Sequence, residues 1–257
     1  MPRFPIAADA TIERLRGGLI NQTYLISTAG ARFVLQRVNP LFSPAIHDNI
    51  VAVTAALERA GLVTPGVVPT NEGEHCLQLP TNQADQPQAV WRVMTHIEGT
   101  SFDVVTGPAQ AQAAGHLVAR FHAALDDLAH TFVGLRSSVH DTQRHMRHLK
   151  QTAQSQTSHR LFAPVATLAT AILDDATHLL ALPDLRPRVC HGDLKINNFL
   201  FEGTTPPLRD RAVCLIDLDT VGPQPLAFEL GDAWRSWCNR SGEDQEAAEL
   251  DLNIFEA

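Results

Sequence analysis

Over residues 12–38, β-branched and aromatic residues fall into short runs with the two-residue period of strands. TIERLR, TYLIS and RFVLQRV carry the pattern, separated by GGLIN and TAGA, so a three-stranded meander is expected over residues 12–38, ended by Asn39-Pro40. The period then lengthens: residues 45–60 (AIHDNIVAVTAALERA) read as a helix with Gly61 as its cap. Residues 67–70, 75–79 and 90–97 return to strand patterning, with the polar TNQADQPQ as the turn between the last two. From Pro108 the pattern is helical, through PAQAQAAGHLVARFHAALDDL and again over 141–153 and 158–181. Then comes strand–loop–strand (RVCHGDLKINNFLF, EGTTPPLRDR, AVCLIDLDT) and a helical FELGDAWRSWCN. The pattern predicts an α+β chain: an antiparallel β-sheet lobe with one helix over 1–97, a mainly helical lobe over 98–257, and THIEGT as the hinge.

The chain has 257 residues, 44% hydrophobic and 19% charged, which suits one large domain or two lobes sharing a cleft. No apolar run reaches the ~18–20 residues that span a membrane. MPRFPIAADA lacks the apolar core of a secretory signal. A cytoplasmic location without a membrane partner is therefore expected. The net charge of −8 argues against a nucleic-acid partner. It is compatible with a nucleotide–metal complex, because magnesium bridges carboxylates to phosphates. Cys76, Cys190, Cys214 and Cys238 include no CxxC pair, so reduced thiols rather than a zinc or redox motif are expected.

The chemistry concentrates in His191-Gly192-Asp193-Leu194-Lys195-Ile196-Asn197-Asn198 and in the later Leu215-Ile216-Asp217-Leu218-Asp219. Phosphoryl transfer from ATP needs a carboxylate to orient the attacking hydroxyl and take its proton, oxygen ligands for Mg2+, and positive charge near the transferring group. Asp193 fits the first need. Asn198 stands five residues on, the offset of a kinase catalytic loop, and Asp217 closes the following strand as the anionic metal ligand. Lys195 has two readings, a phosphate contact or a surface lysine. His191 is read as a support of the loop.

HGDLKINN with IDLDT resembles the aminoglycoside phosphotransferase and choline kinase superfamily. LINQTY, FVLQRVN, WRVMTHIEG, HDT and DLDTVGPQPLAFELGDAWR are most similar to its N-acetylhexosamine 1-kinase branch. The resemblance implies a bilobal protein-kinase-like fold with ATP against a hinge near Met94, His96 and Ile97. It implies Asp193 as base, Asn198 and Asp217 on magnesium, and a sugar hydroxyl as acceptor. It places His140 and Asp141 near the acceptor, where Asp141 also reads as a helix N-cap. Asp232 and Arg235, also candidates for the acceptor site, lie one turn apart and read as a salt bridge, with Asp232 bracing the catalytic loop. An aminoglycoside, choline, homoserine or other small alcohol or amine remains open as acceptor. So does a pseudokinase that binds nucleotide without transferring phosphate.

Three features depart from the kinase pattern. No lysine precedes Lys150, so the β3 position falls to Gln36 or Arg37, which point to opposite faces of the strand. No early glutamate follows on the next helix. The turn Arg16-Gly17-Gly18-Leu19 is not GxGxxG, leaving Gly18 as a backbone phosphate contact or an ordinary turn glycine. Relatives commonly continue beyond the point where this chain ends, so a piece of a longer protein is expected.

Overall fold

The computed structural model describes residues 3–15, 20–83, 86–136, 141–179, 186–241 and 247–257. Six antiparallel strands form the first sheet: β1 Thr11–Arg14, β2 Gln22–Ser27, β3 Arg32–Val38, β4 Val67–Val68, β5 Leu77–Gln83 and β6 Gln86–Thr95. Their order is β1-β2-β3-β6-β4, with β5 also on β6. Strand alternation sorts the side chains. Phe33 and Leu35 join Ile26, Val93, Phe4 and Ile6 in a small core on one face. Val34 and Val38 join Val90 and Met94 on the other, in the main core. The register sets Gln36 of β3 opposite Arg92 of β6.

Helix α1 (Ile46–Arg59) buries Ile46, Ile50, Val53 and Leu57, one side of a 3.6-residue repeat, in that main core. His47 is buried there too. Its Nδ1 lies 2.7 Å from the Pro44 carbonyl, and burial holds its pKa below the usual value. A depressed imidazole contributes stability that is present above the unfolded pKa of about 6.5 and is lost as pH falls below it. Acid denaturation midpoints followed by circular dichroism are expected to move to lower pH in His47→Gln.

Helix α2 (Pro108–Leu125) starts with proline at its first turn and buries Ala114, Leu117, Val118, Phe121 and Leu125. The chemistry-bearing segment follows as β7 (Arg188–Cys190), β8 (Phe199–Phe201) and β9 (Ala212–Leu215). β8 and β9 form a hairpin. A strand not expected from the sequence, β10 (Gly222–Gln224), pairs with β7 and is followed by α5 (Leu226–Trp237) and the short α6 (Leu252–Glu256). Gly99, where the sheet gives way to the helical part, is fixed by packing: a Cβ there would lie 2.7 Å from Leu200 Cβ. It lets Thr100 exchange backbone hydrogen bonds of 2.8 and 2.9 Å with Phe201.

TNQADQPQ differs from expectation: β5 and β6 run on through it to Gln83 and from Gln86, with an irregularity between Pro80 and Gln83. Proline is tolerated there because β5 is at an edge. Helices α3 (Thr142–Ser155) and α4 (Phe162–Leu179) make up a separate compact unit, Arg136–Arg186. Met1–Leu135 and Pro187–Ala257 form the other. No helix among the described residues is long and apolar enough to cross a membrane.

Candidate active site

The segment after β7 alternates sharply. Leu194 and Ile196 are almost fully buried, whereas Asp193 and Lys195 between them reach solvent with about a quarter and a third of their side-chain surface (23% and 35%). The apolar residues anchor the loop and present the two charged ones. Its backbone is tied at nearly every step. Thr220 Oγ1 donates to His191 O (2.9 Å) and Gly192 N–H donates to Glu229 Oε2 (2.9 Å). Asn198 Nδ2 donates to Asp193 O (2.8 Å) and the Trp237 indole N–H to Leu194 O (2.7 Å). His191 is fully buried with Nε2 2.9 Å from Ile216 O, which joins the loop to the second motif. Gly192 has φ +82°, and a Cβ on it would stand 2.7 Å from Thr220 O, so only glycine fits.

The β8–β9 hairpin brings the second motif alongside. Phe199 pairs with Leu215, and Ile216 N–H donates to Asn198 O at 2.9 Å, so Asp217 follows directly on the neighbour of Asn198. Asp217 has φ 65° in the left-handed region, which non-glycine residues seldom adopt and aspartate tolerates better than most. Burial, and next the charge of Asp219, push its pKa up to about 7. Asp193 acts in the same direction, and Arg92 and Lys195 oppose it. Lys195 Nζ lies 3.5 Å from Asp193 Oδ1.

Asp219 serves differently. Its Oδ1 pairs with the guanidinium of Arg92, both side chains being 2% exposed, and its Oδ2 accepts from Asn21 Nδ2 at 2.7 Å. Arg92 Nε donates to Gln36 Oε1 at 2.8 Å. Gln36 thus stands on the face turned toward the second motif, and Arg37 on the opposite face beside Trp91. Arg92, Asn21 and Glu229 were not singled out from sequence. The only signal was that WRVMTHIEG carries an arginine inside an otherwise apolar strand.

Met94 is buried on β6, while His96 and Ile97, just past the strand, are half-buried. His96 N–H donates to Arg32 O, and burial followed by Arg32 lowers its imidazole pKa. Asp232 pairs with Arg235 at 2.8 Å on α5. The carboxylate on the Gly192 amide is Glu229, one turn before Asp232. Asp141 caps α3 by accepting from Arg144 N at 2.8 Å. Gly18 and His140 lie outside the described residues.

The donors around the second motif suit magnesium, a hard cation that takes oxygen. Asn198 commits its amide nitrogen to Asp193 O, which leaves its amide oxygen as a ligand. Asp217 supplies a carboxylate that burial, and next the charge of Asp219, make costly to ionise, a cost that a bound divalent cation would offset. A second cluster lies behind the loop: single ligand atoms of His122, Cys190 and Glu229 come within 4.8 Å of one another. Its donors suit softer ions. Glu229 already holds the Gly192 amide, with Oε1 2.7 Å from His122 Nε2, and the Cys190 thiol lies 3.6 Å from Gln224 O. The cluster is a buried brace for the loop.

A model of the phosphotransferase enzyme family, APH, matches residues 11–255. The chain belongs to this family. Solved structures share the family's bilobal, protein-kinase-like architecture. One is amicoumacin kinase hAmiN in complex with AMP-PNP, Ca2+ and Ami (TM-score 0.62, 14% identity, 91% of this chain and 66% of that one). A second is a microcompartment-associated aminopropanol kinase (0.58, 18%, 90% and 70%). A third is the GDP complex of wild-type aminoglycoside 2'-phosphotransferase-IIIa (0.57, 14%, 86% and 71%). The chain spans 66% of the length of the first of them, less than two thirds.

Proposed function

We propose that the chain transfers the γ-phosphate of ATP to a hydroxyl of a small acceptor carrying an amine, an aminoglycoside or amino alcohol. The observation that carries the transfer reaction is the joining of Asp193, Asn198 and Asp217 on one braced loop and hairpin. Asp193 orients the hydroxyl and takes its proton as the acceptor oxygen bonds to the γ-phosphorus and the bond from phosphorus to the ADP oxygen breaks. Lys195, beside Asp193, adds positive charge where the transferred group accumulates negative charge. Magnesium, held by Asn198 and Asp217, would neutralise the phosphates. Met94, His96 and Ile97 form the strand end against which the nucleotide base lies.

The amine-bearing acceptor is supported by the solved relatives described as aminopropanol and aminoglycoside kinases and by the net charge of −8, which favours a cationic ligand. The sequence likeness in LQRVN, HDT and IDLDT supports a second reading, an N-acetylhexosamine phosphorylated by the same machinery. Incubation with ATP, Mg2+ and a panel of aminoglycosides, aminopropanol, choline, homoserine and N-acetylhexosamines, read by mass spectrometry, tests both. A phosphorylated amino alcohol or aminoglycoside is expected. Phosphorylation of the sugars alone would establish the second reading. Nucleotide binding without any phosphorylated product would make the protein a pseudokinase.

A further inference from the structure

Two residues from the sheet side, one of them held by a third, converge on one acidic side chain of the second motif. Asn21, at the start of β2, donates to one oxygen of Asp219, and Arg92, on β6, pairs with the other. Gln36, across from Arg92 on β3, holds the guanidinium through Nε. Asn21 is fixed in turn, because its Oδ1 accepts from Asn39 N–H at 2.9 Å. Both carboxylate oxygens of Asp219 are therefore engaged, and Asp219 is 5% exposed. The two acids of Asp217-Leu218-Asp219 are divided in role: Asp217 keeps its oxygens for a cation, and Asp219 is a strut.

We propose that Arg92 is a positioning residue for the metal-binding turn: by gripping Asp219 from the sheet it fixes Asp217. The inference rests on the phosphotransferase reading above and names a residue that reading does not contain. Arginine suits the position better than lysine. Its planar fork meets Gln36 through Nε and Asp219 through a terminal nitrogen at once, and it stays charged when buried. The grip links the sheet directly to the turn, two residues from Asp217, so its loss leaves Asn21 alone holding Asp219 from that side.

The test is the Mg2+ dependence of ADP binding, measured by calorimetry, which needs neither turnover nor an acceptor. Arg92→Gln is expected to raise the Mg2+ concentration at half-saturation by about tenfold or more, the usual size for a group that orients a metal ligand. Arg92→Lys, with one nitrogen for two partners, is expected to fall between it and the wild type. Because Arg92→Gln leaves Asp219 buried without its counter-charge, the double variant Arg92→Gln/Asp219→Asn removes both charges and decides the matter if the single variant does not fold. A raised midpoint in the double variant supports positioning, since charge balance alone would restore it. A folded Arg92→Gln or double variant with the wild-type midpoint would overturn the proposal. Wild-type protein that binds no ADP at any Mg2+ concentration would instead sink the phosphotransferase reading, and this inference with it.

Discussion

Asp193→Asn is expected to lower phosphoryl transfer by about 10²–10⁴-fold, the usual contribution of a positioned general base, with little change in nucleotide binding. At ~1.4 kcal/mol per factor of ten, that is roughly 3–6 kcal/mol on the barrier. The separation of the two effects follows from how the loop is held. Its supports reach the Gly192 amide and the Asp193 and Leu194 carbonyls, and none of these uses the Asp193 carboxylate. The substitution therefore removes a proton acceptor of the same shape and leaves the anchors in place. Its ion pair among the described residues is to Lys195, more than a third exposed, where such pairs contribute little. Steady-state kinetics with ATP varied should show kcat falling and KM for ATP nearly constant. Turnover within a few fold of wild type would remove Asp193 from the role of base.

The parts of this site that were legible in the sequence are those set by local spacing. HGDLKINN alternates two charged residues with two apolar ones, and an extended loop has to turn such a pattern inside and outside, as the burial of Leu194 and Ile196 reflects. The β-meander and α1 were legible for the same reason: a regular period over enough residues. The braces were not, because each joins residues far apart in the chain. Arg92 and Asp219 are 127 positions apart and Asn21 and Asp219 198, so no pattern within a window relates them. Alternation did establish that Gln36 and Arg37 face opposite ways. It could not say which face meets the second motif, since that depends on where α1 and the β8–β9 hairpin pack. β10 was missed because Gly222-Pro223-Gln224 has no strand propensity; it exists because Val189 and Cys190 offer it a partner. Asp232 was read as a brace and Glu229 was not singled out, because spacing along a helix cannot tell which carboxylate faces a distant amide; the one on the Gly192 amide is Glu229.

Asp217→Asn is expected to weaken metal and to strengthen the metal-free protein, two changes of opposite sign from one side chain. Asparagine tolerates the left-handed backbone at this position, so the turn keeps its shape. On the proposed reading the lost anionic oxygen is a direct ligand, and the Mg2+ requirement for nucleotide binding should then rise by at least a factor of about 10–100, typical of removing only an orienting partner. The stability change follows from the proton. Burial and Asp219 raise the folded pKa of Asp217 to about 7, against an ordinary carboxylate value of 3.8 when unfolded. The folded state thus binds the proton more tightly, and ionising the group costs stability progressively from about pH 4 to about pH 7 and in full above it. Asparagine never ionises, so without metal the variant should melt higher than wild type at pH 8 and much the same at pH 4. Saturating Mg2+ with nucleotide reverses the order at pH 8, because the wild-type carboxylate then gains a cation and the variant does not. Melting curves at the two pH values, with and without Mg2+ and ADP, read all of this. A variant that is no more stable than wild type at pH 8 without metal, or equally stabilised by Mg2+ and ADP, would take Asp217 out of the cation site.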